Sequence, residues 1–215
     1  MTLIGKLREL CRVNGWSLLA DEIWSRTAGS MRSRLLARQL KTEGLYLGRY
    51  SRLKGLAFMQ VGKDFQVGDS LWMEAITRYE DQVFQPRIVI GYSVRASNWV
   101  HIAATHYVEI GDHCLIGSKV IITDHGHGQY GGSHSSPLEP PAKRQLDSNR
   151  KVVIGRNVWL GDGVVVMPDV TIGEGAVIGA NSVVSRDIPP FTVSIGAPAR
   201  PIKQYDFQEG VWRKV

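Results

Sequence analysis

From Ile154 to Val184 an aliphatic residue returns at every sixth position: Ile154, Leu160, Val166, Ile172, Ile178 and Val184. Glycine follows directly at Gly155, Gly161, Gly173 and Gly179, and a second small or apolar set runs in phase at Val158, Val164, Val170, Ala176 and Ser182. A period of six matches neither the helical repeat of about 3.6 nor the strand repeat of about 2. It suits a triangular coil whose sides are short strands, each placing one aliphatic side chain in a narrow interior. The glycines are expected to let the backbone turn the corners. The fold class that follows is all-β, a parallel β-helix built on hexapeptide repeats.

The rhythm reaches upstream with interruptions. Ile90 with Gly91, Ala96 and Ile102 keep step, and after a slip of two residues Ile110 with Gly111, Ile116 with Gly117, and Ile122 resume it. Fainter copies stand at Leu47, Leu53 and Met59, and at Val61–Gly62 and Val67–Gly68. Residues 69–87 and 123–150 break the pattern and are expected to leave the coil as loop insertions, which in repeat arrays tend to gather on the binding face. The expected organisation is a helical, basic N-terminal extension over 1–45, the β-helix over 46–203, and a short C-terminal tail over 204–215.

The extension differs from the rest in charge. Lys6, Arg8, Arg12, Arg26, Arg32, Arg34, Arg38 and Lys41 face only Glu9, Asp21 and Glu22, and this imbalance carries most of the formal net charge of +6. Leu3, Leu7, Leu10, Trp16, Leu19, Ile23 and Trp24 give a broken helical pattern. Two readings stay open: a basic arm on an anionic membrane surface, or helices that cap one end of the solenoid. The aromatic and basic interleaving of a nucleic-acid reader is missing, so no nucleic-acid partner is expected. With no run of about 18 apolar residues, no secretory signal and only Cys11 and Cys114 as cysteines, the expected location is cytoplasmic, at most at the inner face of the membrane.

The segment Thr123-Asp124-His125-Gly126-His127-Gly128 is where chemistry is expected. Its two histidines stand between glycines at the root of the long insertion, beside a carboxylate. A neutral imidazole takes a proton from a hydroxyl or an amine near pH 7, and Asp124 is placed to orient one of the rings. Tyr130, His134 and the aromatics of 69–87 are candidates to line a carbohydrate pocket.

The hexads, the Asp124–Gly128 stretch, Asn157-Val158-Trp159-Leu160-Gly161, Ile178-Gly179-Ala180-Asn181-Ser182-Val183-Val184 and the closing Ile195-Gly196-Ala197-Pro198-Ala199-Arg200-Pro201-Ile202-Lys203 together resemble the hexapeptide-repeat acetyltransferases. The likeness is strongest to the lipopolysaccharide O-antigen O-acetyltransferases and more distant to the maltose and galactoside acetyltransferases. It runs from about Ile88 to the C-terminus. It implies a homotrimer of left-handed β-helices with active sites between subunits, acetyl-CoA as donor, no metal, and a carbohydrate acceptor that is free, nucleotide-linked or lipid-linked. A loop histidine is the implied general base. An ungapped count from Ile110-Gly111 puts it at His127, while closer relatives carry both histidines, so His125 stays open.

The same resemblance assigns Trp159, Gly161 and Ala180 to the groove holding the pantetheine arm, and Ser185, Arg186, Arg200 and Lys203 to the nucleotide end of coenzyme A. Cations there have a physical sense, because charge-assisted hydrogen bonds to phosphates are strong. Arg replaces the family's Lys at 186 and Lys replaces its Arg at 203, which keeps charge and changes geometry. Ser97 and Asn98 fall where sugar acetyltransferases hold the acceptor. The expected reaction is acetyl transfer to a sugar hydroxyl of a surface polysaccharide or its precursor, with N-acetylation of a nucleotide-linked amino sugar as the alternative. A remoter alternative is a zinc hydratase resembling the γ-class carbonic anhydrases, suggested by His101, His106 and His113.

Overall fold

The structure, a computed structural model, describes Arg12, residues 31–130 and residues 135–215. Most of the expected basic arm, together with Cys11 and His134, lies outside the described residues.

Three sheets wind around one apolar interior. The first takes in turn Tyr46–Leu47, Gln66–Val67, Arg95–Ala96, Leu115–Ile116, Trp159–Leu160, Val177–Ile178 and Thr192–Gly196. The second stacks Arg52–Lys54, Trp72–Ala75, His101–Ala104, Ile121–Thr123, Val165–Val166 and Val183–Val184. The third stacks Met59–Val61, Arg87–Ile90, Tyr107–Ile110, Lys151–Ile154 and Val170–Ile172. Within these coils every pairing is parallel and in register, so Ile102, Ile122, Val166 and Val184 lie one above another. All four are fully buried. The result is a parallel β-helix whose interior is a column of aliphatic side chains, as the hexads require.

The corners work differently from the sequence expectation. The glycines that follow the inward aliphatics do not take the left-handed conformation. That belongs to residues two positions later, where Asn157, Gly163, Asp169, Gly175 and Asn181 all have φ between 57° and 69°. Asn, Asp and Gly are the residues that enter this region at least cost. Gly161 is required by close approach instead: a Cβ there would meet the backbone nitrogen of Ala180, one coil on, at 2.7 Å. Asx side chains staple corners from coil to coil. Asp69, Asn98, Asp112 and Asp162 accept the backbone N–H of Arg49, Asp69, Tyr92 and Ser118 respectively at 2.6–2.9 Å.

The slip of two residues between Ile102 and Ile110 is a widened corner at Thr105–His106, between the strands of the second and third sheets. The coil also continues further into residues 69–87 than expected. Leu71, Met73 and Ala75 are buried while Trp72 is exposed, so this is a strand of the second sheet whose outward Trp72 and Glu74 obscured it. Only the hairpin Arg78–Tyr79 with Gln82–Val83 and its flanks leave the coil. At the other end, Ala199–Asp206 and Val211–Lys214 fold back as antiparallel strands on the first sheet, so residues 204–215 form most of a hairpin and not a loose tail.

Residues 31–40 are helical, and Leu36, Ala37 and Leu40 pack against the core. The buried Ser33 accepts the backbone N–H of Leu47 at 2.9 Å. Over its described part, the extension therefore covers the first coil.

Candidate functional site

Asp124 ends the second-sheet strand Ile121–Thr123 and turns inward, fully buried, under the widened corner. Its carboxylate accepts the backbone N–H groups of Thr105 (2.9 and 3.1 Å), His106 (2.7 Å) and Tyr107 (2.8 Å), and the Thr105 hydroxyl (3.1 Å). It also meets Nδ1 of His125 at 2.9 Å. Burial alone would raise its pKa. The hydrogen bonds from His125 and from the Thr105 and His106 amides, with the attraction of His125, outweigh burial and hold the carboxyl below its ordinary range. Asp124 thus closes the irregular corner and fixes the His125 ring by one nitrogen. It does not touch His127. The His125 side chain keeps only 11% of its surface accessible.

His127 is presented quite otherwise. Gly126 and His127 pair antiparallel with Asp147 and Leu146, so the long insertion closes on itself as a small hairpin at its base. Gly128 then takes φ 94°, a conformation that favours glycine, and donates its N–H to the Gln145 carbonyl at 2.9 Å. The Tyr130 hydroxyl donates to the His127 carbonyl at 2.6 Å and accepts from Arg144 at 3.0 Å. Arg144, almost buried, donates further to the Glu139 carbonyl. The imidazole itself is exposed, and its Nδ1 lies 3.3 Å from the Tyr79 hydroxyl. Tyr79 packs edge-on against the ring, with centroids 5.3 Å apart.

The remaining sequence candidates divide between two edges of the coil. Trp159 opens a strand of the first sheet, and Ser97, Asn98, Gly161 and Ala180 follow such strands, on or beside the edge with the second. Trp159 is half exposed while the adjoining Leu160 is buried, so the indole faces outward in register with exposed Leu115. Asn98 is the corner staple for Asp69, a structural task with no local signal in the sequence. Asp124, His125, His127, Ser185 and Arg186 follow strands of the second sheet, on or beside its edge with the third. Arg200 and Lys203 lie on the C-terminal hairpin, opposite Ile195 and Val193. Arg186, Arg200 and Lys203 are exposed and none forms an ion pair among the described residues. These cations stand in different places on the chain, Arg186 beside the histidine edge and Arg200 and Lys203 on the hairpin of the first sheet. One chain does not bring the first edge and the histidine edge together, because the face of the second sheet lies between them.

His101 stacks on Trp72 with centroids 4.3 Å apart, and His113 sits edge-on to Tyr92. Among the described residues no group of three or more His, Cys, Asp or Glu is gathered to hold a metal. Burial pushes the Cys114 thiol up to about 11, so it is not a nucleophile near pH 7. Sequence reasoning offered Tyr79 only as one of the aromatics of 69–87 that could line a carbohydrate pocket, and did not single out Gln82 or Arg144. The first two lie in the expected insertion, and their link to the histidine loop spans more than 40 residues, beyond any local signal.

Known proteins share this organisation. The models for the bacterial transferase hexapeptide (six repeats) and the hexapeptide repeat of succinyl-transferase match residues 151–186 and 107–126. The chain is 44% identical over 155 residues to a putative lipopolysaccharide biosynthesis O-acetyl transferase, WbbJ, of Escherichia coli K12, covering 71% of this chain and 75% of that protein. It is 34% identical over 143 residues to the galactoside O-acetyltransferase of the same organism, covering 64% of this chain and 63% of that protein. A solved hexapeptide-repeat acetyltransferase from Vibrio cholerae, VCA0836, complexed with acetyl coenzyme A, superposes with a TM-score of 0.53 at 25% identity, over 82% of this chain and 78% of that one. On the repeat frame, the matching models and the extent of these identities, the chain belongs to the hexapeptide-repeat acetyltransferases.

Proposed function

We propose that the protein transfers the acetyl group of acetyl-CoA to a sugar hydroxyl of a surface polysaccharide or its precursor, with His127 as general base. The observation that carries this reading is the presentation of His127: an exposed imidazole on a loop secured through its own carbonyl, with Nδ1 engaged and Nε2 free of any partner among the described residues. His125 is less suited, since Asp124 draws its ring into the corner and leaves little room for an incoming hydroxyl.

In this reaction His127 Nε2 takes the proton of the acceptor hydroxyl as the oxygen attacks the thioester carbonyl. It returns that proton to the departing sulfur, so ester and free thiol are the products. A positioned base of this kind contributes about 10²–10⁴-fold. Arg186, Arg200 and Lys203 hold the donor's phosphates, Trp159 packs along its arm, and Gly161 and Ala180 let it lie close to the backbone. The Escherichia coli relative supports a polysaccharide acceptor, and the acetyl-CoA complex of the Vibrio cholerae relative supports the donor.

The two separated edges favour a homotrimer of left-handed β-helices in which the first edge of one chain meets the histidine edge of its neighbour. Exposed Trp72, Ile121, Leu115 and Trp159 give such a contact an apolar surface. No helix among the described residues is long and apolar enough to cross a membrane. We place the enzyme in the cytoplasm, at most at the inner face of the membrane.

His127→Ala should lower turnover at least about a hundredfold while acetyl-CoA affinity measured by calorimetry stays nearly unchanged. Full activity in that variant with loss in His125→Ala would transfer the role to His125. Faster release of free thiol with an amino sugar than with any hydroxyl acceptor would replace O-acetylation by N-acetylation.

A further inference from the structure

The hairpin of residues 78–83 leaves the coil two turns before the histidine loop and is fastened to it at three points. The Gln82 side chain bonds both backbone groups of Leu146, donating to its carbonyl at 3.2 Å and accepting its N–H at 2.6 Å. The Tyr79 hydroxyl donates to the Ala142 carbonyl at 2.6 Å. The same hydroxyl oxygen lies 3.3 Å from His127 Nδ1. Two excursions are thus clamped together by contacts that span 48–64 residues of sequence, and the clamp ends on the candidate base.

The count of protons at this junction decides the state of the ring. A phenol has one hydrogen to donate. The Ala142 carbonyl can only accept, so at 2.6 Å it takes that hydrogen. Toward His127 the phenol oxygen can then only accept, and Nδ1 must supply the hydrogen. A neutral imidazole carries one N–H, so the other nitrogen keeps its lone pair. No other described group bonds the ring to favour the opposite tautomer, and the edge-on contact with Tyr79 fixes its plane.

We infer that Tyr79 is a positioning residue that holds His127 in the tautomer protonated on Nδ1, so that Nε2 faces the acceptor as a ready proton acceptor. The inference rests on His127 being the base. Gln82 serves it at one remove, by holding the Tyr79 hairpin against the loop. An aromatic hydroxyl from a separate excursion thus does for His127 what Asp124 does for His125.

The test combines ring 15N shifts of histidine-labelled full-length protein, assigned by loss of the His127→Ala signal, with steady-state kinetics of Tyr79→Phe. In the native protein His127 should show a protonated Nδ1 and an unprotonated Nε2. In Tyr79→Phe the Nε2-protonated form should become populated. The kcat should fall about tenfold, with KM for acetyl-CoA changed less than twofold. A native spectrum with the proton on Nε2 would overturn the inference directly, even if Tyr79→Phe folded poorly. Unchanged shifts and unchanged kcat in Tyr79→Phe, with His127→Ala inactive, would also overturn it while leaving the base in place. An active His127→Ala would instead remove the base assignment on which the inference rests.

Discussion

Asp124 invites a quantitative test, because a residue expected from sequence to serve catalysis is built into the coil. Replacing it by alanine strips the acceptor from three backbone N–H groups, the Thr105 hydroxyl and His125 Nδ1. Hydrogen bonds to a charged partner contribute about 1.5–3 kcal/mol each. The three amide bonds alone would then sum to about 4.5–9 kcal/mol, at or beyond the top of the 3–5 kcal/mol typical of a disrupted buried charge network. Two effects bring the cost back to about 3–5 kcal/mol. His106 is exposed and its amide can recruit water, whereas the Thr105 amide lies in a buried residue and cannot do so easily. The contributions also share one site and do not add. Asp124→Asn keeps the shape but turns an NH₂ group toward amide donors, and about 2–3 kcal/mol is expected. The assay is urea denaturation of native and variant proteins at equal protomer concentration, since assembly would add to apparent stability. The pH dependence gives a second reading. The folded carboxyl titrates below its unfolded value of about 3.9, so its contribution is fully present above that pH and is lost as pH falls through the folded value. The alanine variant should lack that part of the acid sensitivity. A cost below about 1 kcal/mol for Asp124→Ala, with unchanged acid sensitivity, would refute the view of Asp124 as the anchor of the widened corner.

Two further substitutions test the coil's packing by thermal and chemical denaturation. Gly161→Ala should cost about 1–3 kcal/mol, because its Cβ meets the next coil's backbone at 2.7 Å; Gly126→Ala, with nothing within 4 Å of the added carbon, should cost less than about 1 kcal/mol. The Ser194 hydroxyl is buried without a partner among the described residues, so Ser194→Ala should be neutral or stabilising by up to about 1 kcal/mol, and a marked loss would show a hidden partner.

The coil was legible because its cause is local and repeated. Each hexad carries its own inward aliphatic, so Ile154 to Val184 specify the interior residue by residue. What the glycines do was not legible. The sequence shows Gly161 after Leu160, but only the approach of the next coil shows that the missing Cβ makes room for Ala180, while Asn157 and Asp169 take the left-handed turns. The strand at Trp72–Ala75 was hidden for a related reason: its outward Trp72 and Glu74 belong to the surface, and surface residues carry no period of six. At the site, the two histidines stood out by composition, yet their difference did not. Asp124 adjoins His125 in sequence and was a natural partner for either ring. Tyr79 reaches His127 only because two excursions, from coils with one more coil between them, fold over one edge.

The division of labour between the two histidines follows from where the repeat is broken. A regular corner satisfies its amides through the next coil, and an Asx staple suffices. Two extra residues at Thr105–His106 leave amides that no coil above can take, and a buried carboxylate at 124 meets that need. Once Asp124 is fixed there, the residue after it is drawn to the carboxylate and loses its exposure. A residue one pleat further on, beyond a glycine with open space around it, can stand clear of the wall. The spacing His-Gly-His therefore separates an imidazole that finishes the corner from one that meets solvent.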